Sequence, residues 1–326
     1  MASITQTPDG SYRVKIRKRG YEPISRNFTR KGEAQRWARE VETEMDKGIF
    51  VSTIEAETIL VSDIMDRYQE EVASTKKSFY DIKCRLKLLR ASFGHLTLAA
   101  VTPSIIKSYR DERLTTRQPE TVRKELGVLN RLLDFAIRDC EIYMPRGNSM
   151  ANVRLPPKSK GRERRLNHGE EQQLVQALSE YGGFILPFFL FALETGMRRG
   201  EIVKLDWKDI NLQSRTAVSW DTKNGENRTI PLSTRAVSIL QTMPRHISGR
   251  IFPIRGDSAT KAFSRCRERA EIKDLRLHDL HHEATSRFFE LGLSLMEVSS
   301  ITGHRDLAML QRYTHLRPQD IAKKLG

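Results

Sequence analysis

At 326 residues the chain is long enough for two or three domains that each bury a core, and its 56 Lys and Arg exceed 41 Asp and Glu by a net +15, the electrostatic mark of a polyanion partner such as nucleic acid. Three scattered cysteines (Cys84, Cys140, Cys266) with no CxxC pair exclude a disulfide framework and a cysteine zinc site. The first residues lack an apolar leader core, and the longest apolar run, 184–193, is interrupted by Pro187 and too short to span a bilayer, so the sequence reads as a soluble, cytoplasmic chain with no membrane partner.

In 11–17, Tyr12, Val14 and Ile16 alternate with Arg13, Lys15 and Arg17, the period of a strand with one apolar and one cationic face. A turn at Lys18, Arg19 and Gly20 leads to a second strand through Ile24, Arg26 and Phe28. Thr29 is then the expected cap of a helix whose apolar stripe is Ala34, Trp37, Ala38, Val41 and Met45. Residues 1–50 therefore read as a small sheet plus helix, whose charged face is either plain solvated surface or a basic ribbon for a DNA groove. Across 58–142 the period becomes helical, with helices expected over 61–74, 78–93, 103–114 and 119–139, a four-helix bundle. Lys76, Lys77, Lys83, Arg85, Lys87 and Arg90 gather around the second helix, as a solvated face or as a track for phosphates.

Residues 143–165 lose periodicity and collect Pro145, Gly147, Pro156, Pro157 and Gly161 with Lys158, Lys160, Arg162, Arg164 and Arg165. They are expected to be a basic linker that straps across a phosphate backbone. In 166–326, Asn167 and Glu170 form a capping-box pattern before a helix to about 180, and a buried helix over 184–194 ends at Gly196. Strands over 216–220 and 228–232 flank a Lys-Asn-Gly hairpin tip, and the rest reads as helix. The last residues, with Pro318, Ile321, Ala322 and Leu325, have the spacing of a short amphipathic helix that packs on a neighbouring protomer or caps its own domain.

The chemistry-bearing residues cluster late: His278, His281 and His282 within five residues, Gly303 and His304 together, and Tyr313 nine beyond His304. A phosphodiester suits such a basic setting, because tyrosine is a competent phosphoryl acceptor when cationic donors neutralise the developing charge. Metal is the rival reading, since His278 and His282 stand at i, i+4; the order HxxHHE matches no standard zinc signature and no cysteine joins it, so no metal is expected.

With the TGMRRGE run from Thr195 to Glu201, the Thr222-Lys223-Asn224-Gly225 hairpin followed by Arg228 to Leu232, the HDLHH run at 278–282, the Gly303-His304 pair and Tyr313-Thr314-His315, residues 165–326 resemble the catalytic domain of the tyrosine recombinase family, the phage-integrase type. The bundle and the N-terminal module resemble, more weakly, that family's core-binding and arm-type DNA-binding domains. The resemblance implies a multidomain, mainly α chain with a small N-terminal β-sheet plus helix and a mixed α+β catalytic domain. It implies a site-specific recombinase in which Tyr313 attacks a DNA phosphodiester, leaving a 3′-phosphotyrosyl link and a free 5′-hydroxyl, with no cofactor. Arg198 would grip a non-bridging oxygen, Lys223 would protonate the leaving 5′-oxygen, His278 and His304 would donate to the phosphate, and Glu201 would orient the cations. Arg13, Lys15, Arg17, Lys76, Lys77, Lys83, Lys87, Lys158, Lys160 and Arg162 would follow the DNA backbone. The partners implied are double-stranded DNA at core and arm-type sites and a homotetramer on a Holliday junction, with an excision factor and a DNA-bending protein as accessories, all on the bacterial nucleoid.

One position departs from the family's HxxR: His281 stands where a second arginine belongs. An imidazole cannot reproduce a bidentate guanidinium clamp, and losing one preorganised donor costs roughly 10²- to 10³-fold in rate. The expectation is an impaired chemical step with DNA binding retained. A type IB topoisomerase-like enzyme and a non-catalytic DNA-binding architectural protein or repressor are the rival readings.

Overall fold

A computed structural model describes residues 2–159, 161–220, 227–304, 306–311 and 313, and the chain divides into two compact units, 1–160 and 161–326. The first unit begins with an antiparallel sheet, β1 (Ala2–Gln6), β2 (Tyr12–Ile16) and β3 (Ile24–Phe28), in that order, with Val14 paired to Ile4 on one side and Arg26 on the other. Strand alternation buries Val14 and Ile16 against Ala34, Ala38, Val41 and Met45 of α1 (Lys31–Asp46) and leaves Arg13, Lys15 and Arg17 exposed. The sequence places the cap of α1 at Thr29; the structure instead has Arg30 at that position, with extended backbone and no side-chain cap bond. β1 is also absent from the sequence reading, because its ASITQ has one large apolar residue and is held by its ladder to β2.

A short α2 (Ile54–Thr58) leads into α3 (Val61–Glu71), α4 (Phe79–Phe93), α5 (Pro103–Thr116) and α6 (Pro119–Arg138), which enclose Leu89, Phe93, Leu126, Leu129 and Leu133. Proline opens α5 and α6, where its missing N–H would have had no helical partner anyway. Inside the bundle Glu125 is buried and bonded three times: Tyr109 Oη donates to Oε2 at 2.8 Å, Arg113 Nε to Oε2 at 3.0 Å and Arg113 Nη2 to Oε1 at 2.7 Å. Burial pushes the Glu125 carboxyl up, but the bonds from Arg113 and Tyr109 outweigh it and leave it below the ordinary carboxylate value. On α4, Lys83 and Lys87 are exposed opposite buried Ile82, Leu86 and Leu89, and Lys76 and Lys77 are exposed just before the helix.

The segment after α6 is not a free strap. Met144, Met150 and Val153 join the bundle core, Arg110 donates to Arg154 O at 2.8 Å, and Arg123 donates to Pro156 O at 2.8 Å.

In the second unit, α7 (Glu170–Tyr181), α8 (Ile185–Thr195) and the short α9 (Arg199–Ile202) precede a three-stranded antiparallel sheet of β4 (Ile210–Asn211), β5 (Thr216–Ser219) and β6 (Arg228–Pro231). Then follow α10 (Thr234–Thr242), α11 (Gly256–Arg269), α12 (Asp279–Glu290), α13 (Leu295–Thr302) and α14 (Ala308–Gln311). The expected capping pattern is present in part: Asn167 N–H donates to Glu170 Oε2 at 2.8 Å, while Gly169 occupies the cap. Apolar almost all round, α8 is the central rod, packed by α7, α10 and α12, with Phe188, Phe189 and Phe191 in one core with Phe252 and Phe263. No helix among the described residues is long and apolar enough to cross a membrane.

Arg113→Met should leave the Glu125 carboxylate buried and uncompensated, destabilising the first unit by about 3 kcal/mol in urea unfolding at neutral pH. Because the folded pKa of Glu125 lies below its unfolded value, the stabilisation is complete above the unfolded pKa and is lost as pH falls through the folded one, so the difference between wild type and variant should shrink on acidification. Equal midpoints at neutral pH would contradict this account.

Candidate active site

The site starts at the end of α8. Gly196 stops that helix with φ +60°, a left-handed conformation costly to other residues, and a Cβ there would also crowd Phe288 at 3.0 Å. The chain then buries Met197 and presents Arg198 as the extended residue before α9. One turn on, the Glu201 carboxylate gathers four donors: Oε2 accepts the Arg198 backbone N–H at 2.9 Å and Arg228 Nη2 at 2.8 Å, while Oε1 accepts Arg228 Nη1 at 3.2 Å and Arg198 Nη1 at 3.4 Å. The Glu201 and Arg228 side chains are only 7% and 11% exposed, and burial lowers the pKa of the Arg228 guanidinium despite the neighbouring carboxylate. Arg228 opens β6, so Glu201 ties the α8–α9 turn to the sheet.

The end of α13 closes on the same pair. Gly303 has φ +69°, and a Cβ on it would overlap Arg228 Nη1 and lie 3.1 Å from Cζ. Arg198 Nη1 donates to Thr302 O at 3.0 Å, Thr302 Oγ1 pairs with His304 Nδ1 at 2.7 Å, and Ser299 Oγ donates to His304 O at 2.6 Å. Arg198 and His304, more than a hundred residues apart in the chain, are thus joined through one threonine.

His281 and His282 of α12, with His278 at its cap, form a row of rings between this arginine and the tyrosine. His281, 3% exposed, donates from Nδ1 to Gly196 O at 2.5 Å. Burial, and after it the charge of Arg198, holds its pKa well below the ordinary imidazole range, so the ring is neutral. With Nδ1 carrying the hydrogen, Nε2 is a buried lone pair, and it has no hydrogen-bond partner among the described residues. Where the family pattern has an arginine, His281 thus presents a buried acceptor. Its ring centroid lies 5.2 Å from that of His304 and 5.8 Å from that of His278, which is 5.1 Å from His282. His282 Nδ1 is hydrogen-bonded to Tyr313 Oη. Tyr313 is 7% exposed, with its ring in the cluster of Val298 and Leu310, so its covered ring ends in a hydroxyl on an imidazole.

What holds α12 in place is a set of buried carboxylates. Asp279 accepts Arg162 Nε at 3.2 Å and Nη2 at 3.0 Å, and Glu283 accepts both Arg165 Nε and Nη2 at 3.1 Å and Arg287 Nε at 2.8 Å. Burial pushes Glu283 up, yet the bonds from Arg165 and Arg287 bring it below its ordinary value. Arg162, expected on a DNA backbone, is instead committed to Asp279 and Asp274, because a buried aspartate needs its charge. Lys158 is exposed in the first unit; Lys160, Lys223 with its hairpin tip, and the tail after Tyr313 lie outside the described residues. Arg228 and His282 are two site residues that sequence reasoning named without giving them a role. The inward register of β6 and the second histidine of the HH pair were the available signals.

These side chains form a cationic, imidazole-lined site beside a phenol, suited to a phosphodiester. A family model described as the phage integrase family matches residues 164–320. The chain is 39% identical over 275 residues to the shufflon-specific DNA recombinase of Escherichia coli, covering 81% of this chain and 71% of that protein. It is 25% identical over 304 residues to the integrase of Salmonella phage P22, across 79% and 76% of the two chains. Among solved structures it is similar to a lambda integrase (75-356) dimer bound to a COC′ core site (TM-score 0.68, 20% identity, 80% of this chain and 97% of that one). It is similar also to a lambda integrase tetramer bound to a Holliday junction (TM-score 0.67, 19% identity, 98% of each chain). The chain belongs to the phage integrase family of tyrosine recombinases, and is a site-specific DNA recombinase on that family's fold.

Gly303→Ala should force Arg228 away from Glu201 and strain the backbone at positive φ, lowering thermal stability by about 2 kcal/mol and slowing DNA strand cleavage with it. A variant with unchanged melting temperature and cleavage rate would show that this close approach is unimportant.

Proposed function

We propose that the chain integrates or excises a mobile element by a transesterification in which Tyr313 is the nucleophile. The observation that carries this is the unbroken set of contacts from Arg198 through Thr302, His304 and the α12 histidines to the Tyr313 hydroxyl. Arg198 grips a non-bridging phosphate oxygen and draws off charge as the trigonal bipyramid forms; Glu201 fixes its approach. His278 and His304 donate to the same phosphate, and Lys223 protonates the departing 5′-oxygen. The 3′-phosphotyrosyl ester keeps the energy of the broken bond, so a 5′-hydroxyl from a second duplex reverses the step and exchanges strands without ATP or metal.

On the DNA, four protomers occupy two core sites, pass through a Holliday junction, and use the basic strand face of residues 1–50 for arm-type sites, with Lys76, Lys77, Lys83, Lys87 and Lys158 along the core backbone. An excision factor and a DNA-bending protein assist on the bacterial nucleoid. The neutral His281 favours a slow variant of this chemistry: the transition state meets a lone pair where the family supplies a second guanidinium. DNA binding, which rests on many dispersed cations, is retained.

A nicked suicide duplex carrying the cognate core tests the reading, because loss of the short 5′ fragment traps the ester. Tyr313→Phe should bind the duplex as tightly as the parent and form no adduct. His281→Arg should form adduct about 10²- to 10³-fold faster than the parent. Equal rates for the parent and His281→Arg would contradict the impairment, and adduct formation by Tyr313→Phe would remove the nucleophile assignment.

A further inference from the structure

We propose that His282 is the group that holds the Tyr313 phenol and accepts its proton as the phosphotyrosyl bond forms. This rests on the recombinase chemistry above and adds to it a residue with its own task.

A phenol has an ordinary pKa near about 10 and is protonated at neutrality, so attack on phosphorus requires its hydrogen to go elsewhere. The groups given to the phosphate have other tasks: Arg198 is a permanent cation, Lys223 is needed in its charged form to protonate the leaving oxygen, and His278 and His304 each spend an N–H on the phosphate, with His304 Nδ1 on Thr302 Oγ1. Asp279 and Glu283, the buried carboxylates of α12, are turned to Arg162, Arg165 and Arg287. His281 keeps a lone pair on Nε2, but its ring is buried beside Arg198 and held neutral, with Nδ1 on Gly196 O. His282 Nδ1 is on Tyr313 Oη itself, the atom that reacts.

Its placement is fixed from both sides. His282 lies between Asp279 and Glu283, so the ion pairs of those two residues set the height and rotation of its turn of α12. The two rings lie 5.9 Å apart at 24°, and the Tyr313 backbone N–H donates to Leu310 O at 2.9 Å. A phenol oxygen and an imidazole nitrogen already in hydrogen-bond contact satisfy the first requirement of general base catalysis, which is geometric, and in the proposed tautomer Nδ1 accepts.

In the forward step the Oη–H proton passes to His282 Nδ1 while Oη bonds to phosphorus. The P–O5′ bond breaks with its electron pair on O5′, which takes a proton from Lys223. In the reverse step an incoming 5′-hydroxyl returns a proton to Lys223 as it attacks, the Oη–P bond breaks, and His282 gives its proton back to the tyrosine. The charge that His282 gains in the forward step is the charge that Lys223 loses, and the one proton that departs with the 5′-hydroxyl comes back with it in reverse.

Two measurements on the full chain test this. Without DNA, ¹⁵N-histidine NMR should show the His282 Nδ1 resonance, identified by its loss in His282→Gln, moving by several ppm in Tyr313→Phe; no movement overturns the contact. With the nicked suicide duplex, His282→Ala should form the Tyr313 adduct roughly 10²-fold more slowly. His282→Gln, which keeps a polar group in place but takes up no proton, should be about as slow. Replacing Tyr313 by a trifluorotyrosine, whose phenol ionises far more readily, should restore most of the rate in both. Full rate in either His282 variant, or an unchanged deficit with the acidic tyrosine, overturns the proposal and leaves the nucleophile assignment standing. A parent chain that forms no Tyr313 adduct overturns the chemistry of both.

Discussion

One buried carboxylate organises the catalytic unit. Glu201 has little access to water, and a charge so placed persists only if its lone pairs are filled. Arg198 and Arg228 fill them, and in doing so they bring the end of α8 and the first residue of β6 to one point. The Gly303 turn can approach because glycine has no side chain to collide with Arg228. Segments far apart in the chain, which also share the apolar core of Met197, Ile202, Ile230 and Ile301, are thus registered by an electrostatic requirement with narrower tolerances than apolar packing.

The same logic explains α12. A helix that, with its cap, carries three polar imidazoles toward a charged site cannot be held by an apolar stripe alone. Asp279 and Glu283 are buried on its other side and draw arginines from 162–165 and from its own next turn. Much of the positive charge that marks the chain as a nucleic-acid protein is consequently internal bracing. Other cations are exposed, among them those of the outer strand face of β2, of the exposed side of α4 and its approach, and Lys158.

The elements set by local chemistry were readable in advance. Prolines at N1 mark α5 and α6, a glycine with positive φ ends α8, and period-2 alternation gives β2; the signature runs around Arg198, His278, His304 and Tyr313 identify the family. What stayed hidden depends on partners remote in sequence. The run 161–165 resembles a basic strap because nothing local announces that Asp279, 117 residues beyond Arg162, will be buried beneath it. Arg228 looks like one more strand cation until Glu201 and Gly303 are seen around it. The protonation of His281 is a property of its surroundings: a carbonyl at Gly196 fixes the hydrogen on Nδ1, and burial beside Arg198 forbids a second. An arginine in that position would have brought its own charge and its own donors, so the substitution removes attraction and adds a lone pair.

The central claim is that a single phenol, covered by apolar side chains but bonded at its hydroxyl to an α12 imidazole, is the atom that joins the DNA. Its most direct test is peptide mapping by mass spectrometry of the covalent complex trapped on a nicked core duplex and digested to a nucleotide stub. The account predicts one modified peptide, with the 3′-phosphate on Tyr313. A stub on any of the other seven of the eight tyrosines, or on a serine or threonine, would contradict it.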